Sequence, residues 1–142
     1  MQGRFFEDLS VGDSAGMTRT VDDSVIQAFA DVSTDSNPVH LDQAYAEGTM
    51  FKGRIAHGML SGAYISAVIG MQLPGPGTIY LSQSLRFRRP VRLGDIVDVR
   101  VTVEALDPAR GEATLSTVCE VDGKRVVEGE AVVLAPRREA VG

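Results

Sequence analysis

The most regular alternation of hydrophobic and polar residues lies in the second half of the chain. Between residues 96 and 104, four valines share one face, while charged and hydroxyl side chains share the other. This period of two predicts a half-buried strand, and residues 113–121 repeat it. The Asp122-Gly123 pair predicts a tight hairpin into a further strand at residues 126–134. Residues 78–87 alternate more loosely, and we expect another strand there.

The first half of the chain follows a helical period after one short strand, which we predict at residues 17–21. Apolar residues then recur at helical spacing and predict a helix over residues 23–33, with two neighbouring aspartates as candidate N-caps. Proline disfavours helix in the residue before it, so Pro38 should halt any helix that arrives from upstream. We expect a second, short helix over residues 41–46.

Residues 58–72 contain no charged residue, and their apolar side chains fall on every side of a helical projection. They predict a helix of roughly 22 Å that is buried all round, because it has no polar face for solvent. Helices followed by consecutive strands favour the α+β class, with an antiparallel sheet wrapped around this helix. We predict one domain over residues 1–142, with a packed arm at residues 4–13 and a frayed tail from residue 136.

The composition narrows the possible functions. A formal net charge of −5 at pH 7 argues against general nucleic-acid binding. The first ten residues lack the apolar core of a signal peptide, and no apolar run reaches the roughly 18 residues of a membrane span. The single cysteine, Cys119, fits a buried hydrophobe in a reducing compartment. The sequence has one cysteine and two histidines, which are too few soft ligands for a zinc site. We expect a cytoplasmic protein with no metal, membrane or nucleic-acid partner.

The segment Asp35-Ser36-Asn37-Pro38-Val39-His40 carries the candidate chemistry. It places a carboxylate and an imidazole five residues apart, with an Asn-Pro pair between them. Asn37 can bond the neighbouring backbone and so stiffen the turn. We therefore expect Asp35 and His40 on an ordered loop, where a general base can lie within hydrogen-bond reach of the proton it moves.

Three stretches resemble the R-specific 2-enoyl-CoA hydratases of the MaoC-like dehydratase family. Residues 30–42 look like the family signature, whose Asp-x-Asn-Pro-x-His core is fairly specific for hydratase activity. The block Ile55-Ala56-His57-Gly58-Met59-Leu60 is similar to the segment that enters the family's central helix. Residues 73–87 continue in the same register, so the resemblance covers nearly the whole chain.

The resemblance implies a hot-dog fold and a homodimer, or a higher homo-oligomer, with active sites near the subunit interface. It implies reversible hydration of trans-2-enoyl-CoA to (3R)-3-hydroxyacyl-CoA, with Asp35 and His40 as the catalytic pair. Gly58 would give its backbone N–H to the site. Three residues are assigned to substrate binding: Asn37, Ser66 and Ile69.

Hydration of a conjugated thioester needs hydroxide at C3 and a proton at C2. One water held between a carboxylate and an imidazole supplies both, while helix N–H groups near Gly58 face the oxygen on which charge grows. No metal, nicotinamide or flavin is needed, so we expect no cofactor beside the acyl-CoA substrate. Neutral His40 suits a base near its ordinary pKa of about 6.5. Which of Asp35 and His40 acts as base, and which as acid, stays open.

Other polar residues have simpler interpretations. His57 fits a structural role that orients the turn before the long helix. Arg86, Arg88 and Arg89 fit solvated surface, with contacts to CoA phosphates as the alternative. Ser66 lacks the Gly-x-Ser-x-Gly elbow of a nucleophile, and it fits either the acyl pocket or plain helix packing.

Two further functions compete with hydration. An acyl-CoA thioesterase on the same fold would release free CoA, whereas hydration only removes the conjugated enoyl absorbance. A non-catalytic acyl-CoA-binding subunit would bind the thioester and give neither signal. The intact Asp35–His40 pair argues against the non-catalytic subunit.

Overall fold

A six-stranded antiparallel sheet packs against one long helix in the computed structural model, which describes residues 3–138. The elements in chain order are a 3-10 turn (Phe6–Asp8), β1 (Ser14–Thr20), α1 (Asp23–Ser33), α2 (Pro38–Leu41), α3 (Gln43–Glu47), α4 (Gly58–Met71), β2 (Ile79–Gln83), β3 (Arg86–Phe87), β4 (Ile96–Asp107), β5 (Glu112–Val121) and β6 (Lys124–Leu134). The strand order is β1-β4-β5-β6-β2, and β3 also pairs with β6. Strand β1 therefore forms one edge, and β2 and β3, which pair with successive parts of β6, form the other.

The alternation of β4 is confirmed, because its four valines are at most 2% exposed and form the sheet side of the core. The predicted hairpin between β5 and β6 is also confirmed. Asp122 and Gly123 have φ angles of 53° and 76°, the left-handed region that such a turn requires. The single strand predicted at residues 78–87 is interrupted at Ser84, whose hydroxyl accepts the Glu130 N–H at 3.0 Å. This side-chain bond lies between the two stretches that pair with β6, so they form separate strands.

The α1 prediction is confirmed, and the Asp22 carboxylate accepts the Val25 N–H at 3.0 Å as N-cap. The short helix predicted at residues 41–46 is confirmed as α3, whose bounds differ by one or two residues, but the sequence analysis missed α2 before it. Two one-turn helices form because Asn37 caps α2 and Asp42 caps α3 with their side chains. Pro38 occupies the first turn of α2, where its missing N–H costs nothing, so it starts a helix as well as separating α2 from α1.

The bounds predicted for α4 are confirmed to within one residue, but the prediction that it is buried all round is wrong. The sheet covers one side, where Ile65, Val68 and Ile69 are at most 1% exposed. On the opposite side Met59 and Met71 remain more than half exposed, at 57% and 55%. An apolar stripe along α4 is thus open in the single chain. None of the helices between residues 3 and 138 is long and apolar enough to span a membrane.

The N-terminal arm packs as predicted, with Phe6 and Leu9 buried. The prediction of a frayed tail is wrong for residues 136–138, because these residues form hydrogen bonds with the N-terminal arm. The Phe6 N–H donates to the Pro136 carbonyl at 2.7 Å, and the Arg138 N–H donates to the Glu7 carboxylate at 2.8 Å. The rest of the predicted tail, residues 139–142, lies outside the described residues.

Candidate active site

A carboxylate and two imidazoles meet where the loop after α1 approaches the start of α4. One side-chain oxygen or nitrogen from each of Asp35, His40 and His57 lies within 4.8 Å of the others. Asp35 is exposed, whereas the two histidines are buried. The structure therefore brings together the predicted pair, and it adds a third polar side chain.

The Asp35 side chain is held by its own turn. Thr34 ends α1 in the left-handed conformation, with φ of 65°, and so turns the chain out of the helix axis. The Asp35 carboxylate then accepts the Asn37 N–H at 3.1 Å, and the Asn37 side chain accepts the Val39 N–H at 3.2 Å. The stiffening expected of Asn37 is confirmed. The expected loop is right for Asp35 but wrong for His40, which lies in α2 because Pro38 begins that helix.

His40 is 8% exposed, and its ring orientation is fixed by backbone. Nδ1 lies 2.8 Å from the Ile55 carbonyl, which can only accept, so we assign the proton to Nδ1 and the free lone pair to Nε2. Burial holds the pKa of His40 below its usual 6.5, and the positive form of His57 would lower it further. The Ile55 carbonyl and the Asp35 carboxylate raise the pKa of His40, but burial is the largest effect. With its pKa below 6.5, the His40 imidazole is mainly neutral at pH 7 and can accept a proton.

Arg54 fixes the backbone of α2 from the other side. Its Nε donates to the His40 carbonyl at 2.7 Å, and its terminal nitrogen pairs with the Asp23 carboxylate at 2.6 Å. This side chain is mostly buried, with 12% of its area exposed. Arg54 thereby ties the helix that carries His40 to the start of α1.

His57 contacts both members of the predicted pair. Its Nε2 donates to the backbone carbonyl of Asp35 at 2.8 Å, and its ring stacks on that of His40 at 3.9 Å between centroids, tilted by 28°. Phe29 packs against it at 5.0 Å. Within residues 3–138, Nδ1 of His57 is buried without a hydrogen-bond partner. The sequence pattern carries no signal for these contacts, because the partners of His57 lie 17 or more residues away along the chain.

Two imidazoles and one carboxylate are a donor set that can bind a transition metal. In each ring one nitrogen is already bonded to a backbone carbonyl, which leaves one nitrogen per ring free. The same groups can instead hold a water molecule between the Asp35 carboxylate and His40.

Gly58 begins α4, so its N–H is among the helix N–H groups that have no intrahelical acceptor. The Phe87 ring packs against this position, and a Cβ added to Gly58 would lie 2.8 Å from a ring carbon. Gly58 and His57 line a pocket of about 370 Å³ between residues 50–58 and the segment that follows β3. Phe87 was missed by the sequence analysis, since an aromatic residue in a loosely alternating strand looks like any core residue.

The three residues assigned to substrate binding lie apart from one another. Asn37 caps α2, and Ser66 lies on the exposed side of α4, eight residues or about 12 Å beyond Gly58. Ile69 is 1% exposed and belongs to the core between α4 and the sheet. In the single chain only Asn37 adjoins the Asp35 carboxylate.

The sheet-and-helix architecture and the Asp-His cluster define a class of protein, and comparison with known families identifies it. Residues 10–124 match the MaoC like domain, and the chain belongs to the MaoC-like dehydratase family. The fold is the hot-dog fold that the resemblance implied.

Similar individual proteins carry hydratase and dehydratase names. The chain is 52% identical to an (R)-specific enoyl-CoA hydratase of Rhodospirillum rubrum, over 94% of this chain and 93% of that protein. It is 46% identical to a 3-hydroxybutyryl-CoA dehydratase of Methylorubrum extorquens, over 95% and 86% of the two chains. Among solved structures it resembles R-hydratase PhaJ1 from Pseudomonas aeruginosa, with a TM-score of 0.91, 48% identity, and coverage of 99% and 93%.

Proposed function

We propose that the protein is an (R)-specific enoyl-CoA hydratase, a hydro-lyase that interconverts trans-2-enoyl-CoA and (3R)-3-hydroxyacyl-CoA. The observation that carries the proposal is the approach of Asp35 and His40 beside the first residues of α4. The names of the similar proteins support the same reaction class.

The geometry supports a mechanism with one water molecule. The Asp35 carboxylate accepts one hydrogen of this water, and the free Nε2 of His40 removes the other proton. The water oxygen bonds to C3, and the π electrons move toward the thioester oxygen, where the Gly58 N–H stabilises the charge. The His40 imidazolium then returns its proton to C2. Acid–base groups placed in this way contribute about 10²–10⁴ in rate.

In this proposal His57 is a positioning residue. Its bond to the Asp35 carbonyl fixes the loop that carries the carboxylate, and its stacked ring fixes His40 and excludes water from one face. Because a misplacement of about 1 Å can cost roughly 10²-fold in rate, His57 contributes to turnover without touching the reacting atoms. Arg54 is a positioning residue as well, because it donates a hydrogen bond to the His40 carbonyl and so holds the backbone of α2.

Turnover of crotonyl-CoA tests the proposal. Asp35→Asn and His40→Ala should each lower kcat by at least about 10²-fold with the fold intact. Asp31→Asn is the matched control, an exposed aspartate one helical turn before Asp35. Loss of the enoyl absorbance reports hydration, whereas a thiol-reactive dye reports the free CoA that a thioesterase would release. Near-wild-type hydration by either site variant rules out the assigned roles.

We propose further that turnover requires neither metal nor organic cofactor. The support is that one nitrogen of each ring already bonds a backbone carbonyl, and that a water between Asp35 and His40 supplies every atom the reaction adds. Dialysis against a strong chelator should leave crotonyl-CoA hydration unchanged, and restoration of lost activity by a divalent cation would contradict it. The predicted cytoplasmic location stays a prediction, with which a buried Cys119 thiol is consistent.

We propose that the protein works as a homodimer. Edge strand β2 exposes Ile79 and Leu81, at 58% and 47%, and the apolar stripe on α4 is open beside Met59. A second copy of the chain would cover this apolar surface, and it would give Ser66 a partner for the acyl pocket. Light scattering should show a dimer that Leu81→Lys weakens. A monomer that retains full turnover at assay concentration would contradict this proposal.

A further inference from the structure

A basic groove lies on the surface where β3 ends and β6 begins. It has a volume of about 380 Å³ and is lined by Arg88, Arg89, Lys124, Arg125 and Glu128. Four cations against one carboxylate give it a net charge of +3 (4 − 1), while the whole chain carries −5. The sequence scatters these residues over 41 positions, and pairing of β3 with β6 brings them together.

Two of the four cations are already paired, and two are available for a ligand. Glu128 accepts from Arg88 at 2.7 Å and from Arg125 at 2.9 Å, and these bonds hold its pKa below the usual value. The structure gives Arg89 and Lys124 no carboxylate partner within residues 3–138. The groove thus presents two cations without a carboxylate partner beside two that pair with Glu128.

The groove adjoins the pocket beside Gly58. Arg88 and Arg89 line both, so one continuous surface runs from the start of α4, through an apolar pocket of about 370 Å³, to the basic groove. This order matches a CoA thioester read outward from its reacting end. The thioester lies at the helix N–H groups, a largely uncharged pantetheine arm follows, and the phosphates of the nucleotide come last.

We propose that the basic groove binds the nucleotide phosphates of CoA, chiefly through Arg89 and Lys124, an inference that rests on the proposed hydratase function. Guanidinium and ammonium groups are the usual protein partners of phosphate oxygens. A small anion is favoured over an acidic carrier protein. The four cations line a single groove of about 380 Å³, which suits a small anion, whereas the net charge of −5 on the whole chain disfavours a large acidic partner.

A pair of substrates isolates the nucleotide. Crotonyl-CoA and crotonyl-pantetheine share the acyl group and the thioester arm, and they differ in the nucleotide and its phosphates. The ratio of their kcat/KM values therefore measures what the nucleotide and its phosphates contribute together. In Arg89→Ala/Lys124→Ala this ratio should fall at least tenfold, mainly through KM for the CoA ester. If Arg89 is replaced by lysine instead of alanine in this double variant, part of the ratio should be restored, because lysine keeps the positive charge.

A matched control carries the same change of charge elsewhere. Arg19→Ala/Arg110→Ala removes two exposed arginines outside the groove and should keep the wild-type ratio. Added salt tests the idea without mutation, since it should weaken turnover of the CoA ester more than that of the pantetheine ester. Circular dichroism should show both double variants folded.

The outcomes separate the two proposals. If wild type hydrates neither thioester, the hydratase function fails. If it hydrates both, but the groove variant and its control have the same ratio, the function stands and the phosphate site is overturned. An unchanged ratio together with slower turnover of crotonyl-acyl-carrier protein would also overturn it, because the groove would then dock a carrier protein.

Discussion

The position of His57 between Asp35 and His40 can be dissected by two substitutions that each keep one half of its contacts. His57→Phe keeps a flat ring between Phe29 and His40 but removes the N–H that the Asp35 carbonyl accepts. His57→Gln keeps an N–H donor at similar reach but removes the ring stacked on His40. The two variants therefore separate the positioning of the carboxylate from the environment of the imidazole.

The structure sets the size of each effect. A neutral hydrogen bond of this kind contributes about 0.5–1.5 kcal/mol, so His57→Phe should lower the free energy of unfolding by about that amount. Its kcat should fall by roughly 10²-fold, because the freed Asp35 turn no longer holds the carboxylate in place. In His57→Gln, water reaches the His40 ring, so the pKa of His40 should rise toward 6.5, since burial is the main cause that lowers it.

The assay uses the fact that the chain has two histidines. In either variant the one remaining imidazole signal in a proton NMR titration belongs to His40, so its pKa is read without assignment. The pH at which kcat/KM for crotonyl-CoA falls on the acid side should shift together with the pKa of His40. Phe29→Leu is the control, because it trims the packing on His57 while leaving the bond to Asp35. The positioning role is refuted if His57→Phe turns over like wild type, or if Phe29→Leu loses as much kcat.

In the proposed mechanism the neutral form of His40 is the base, and burial lowers its pKa below 6.5, so kcat/KM should fall only as pH drops through that lowered pKa. The contribution of His40 to the free energy of unfolding should be complete above about 6.5 and decline below it, measurable by urea titration across pH. Gly58→Ala should push the half-exposed Phe87 ring aside, costing about 1 kcal/mol in thermal unfolding and lowering kcat/KM; unchanged kinetics would contradict the close packing. Gly129→Ala should cost about 2–3 kcal/mol, because its Cβ would lie 1.8 Å from the Ser84 backbone oxygen, which cannot swing away; an unshifted melting temperature would contradict it.

The local signals in the sequence were sufficient for most secondary structure. The valine alternation of β4 and the Asp122-Gly123 turn act over a few residues, and the structure confirms both. Two of the errors arose where side-chain hydrogen bonds overrode the local pattern. Asn37 and Asp42 each cap a separate helix, and the Ser84 hydroxyl replaces a strand-to-strand bond. Such side-chain bonds depend on where the acceptor or donor lies in space. The prediction of a single domain over residues 1–142 stays a prediction.

The sequence by itself determined the residue types of the candidate site, because the Asp35-to-His40 motif places an acid and a base on one short segment. Only the tertiary structure decided which groups surround them. His57 reaches the Asp35 carbonyl from 22 residues away, and the basic groove forms because β3 pairs with the start of β6. The physical reason is the same in both cases: the spacing of residues along a segment fixes its local geometry, whereas contacts between distant segments depend on how helices and strands pack.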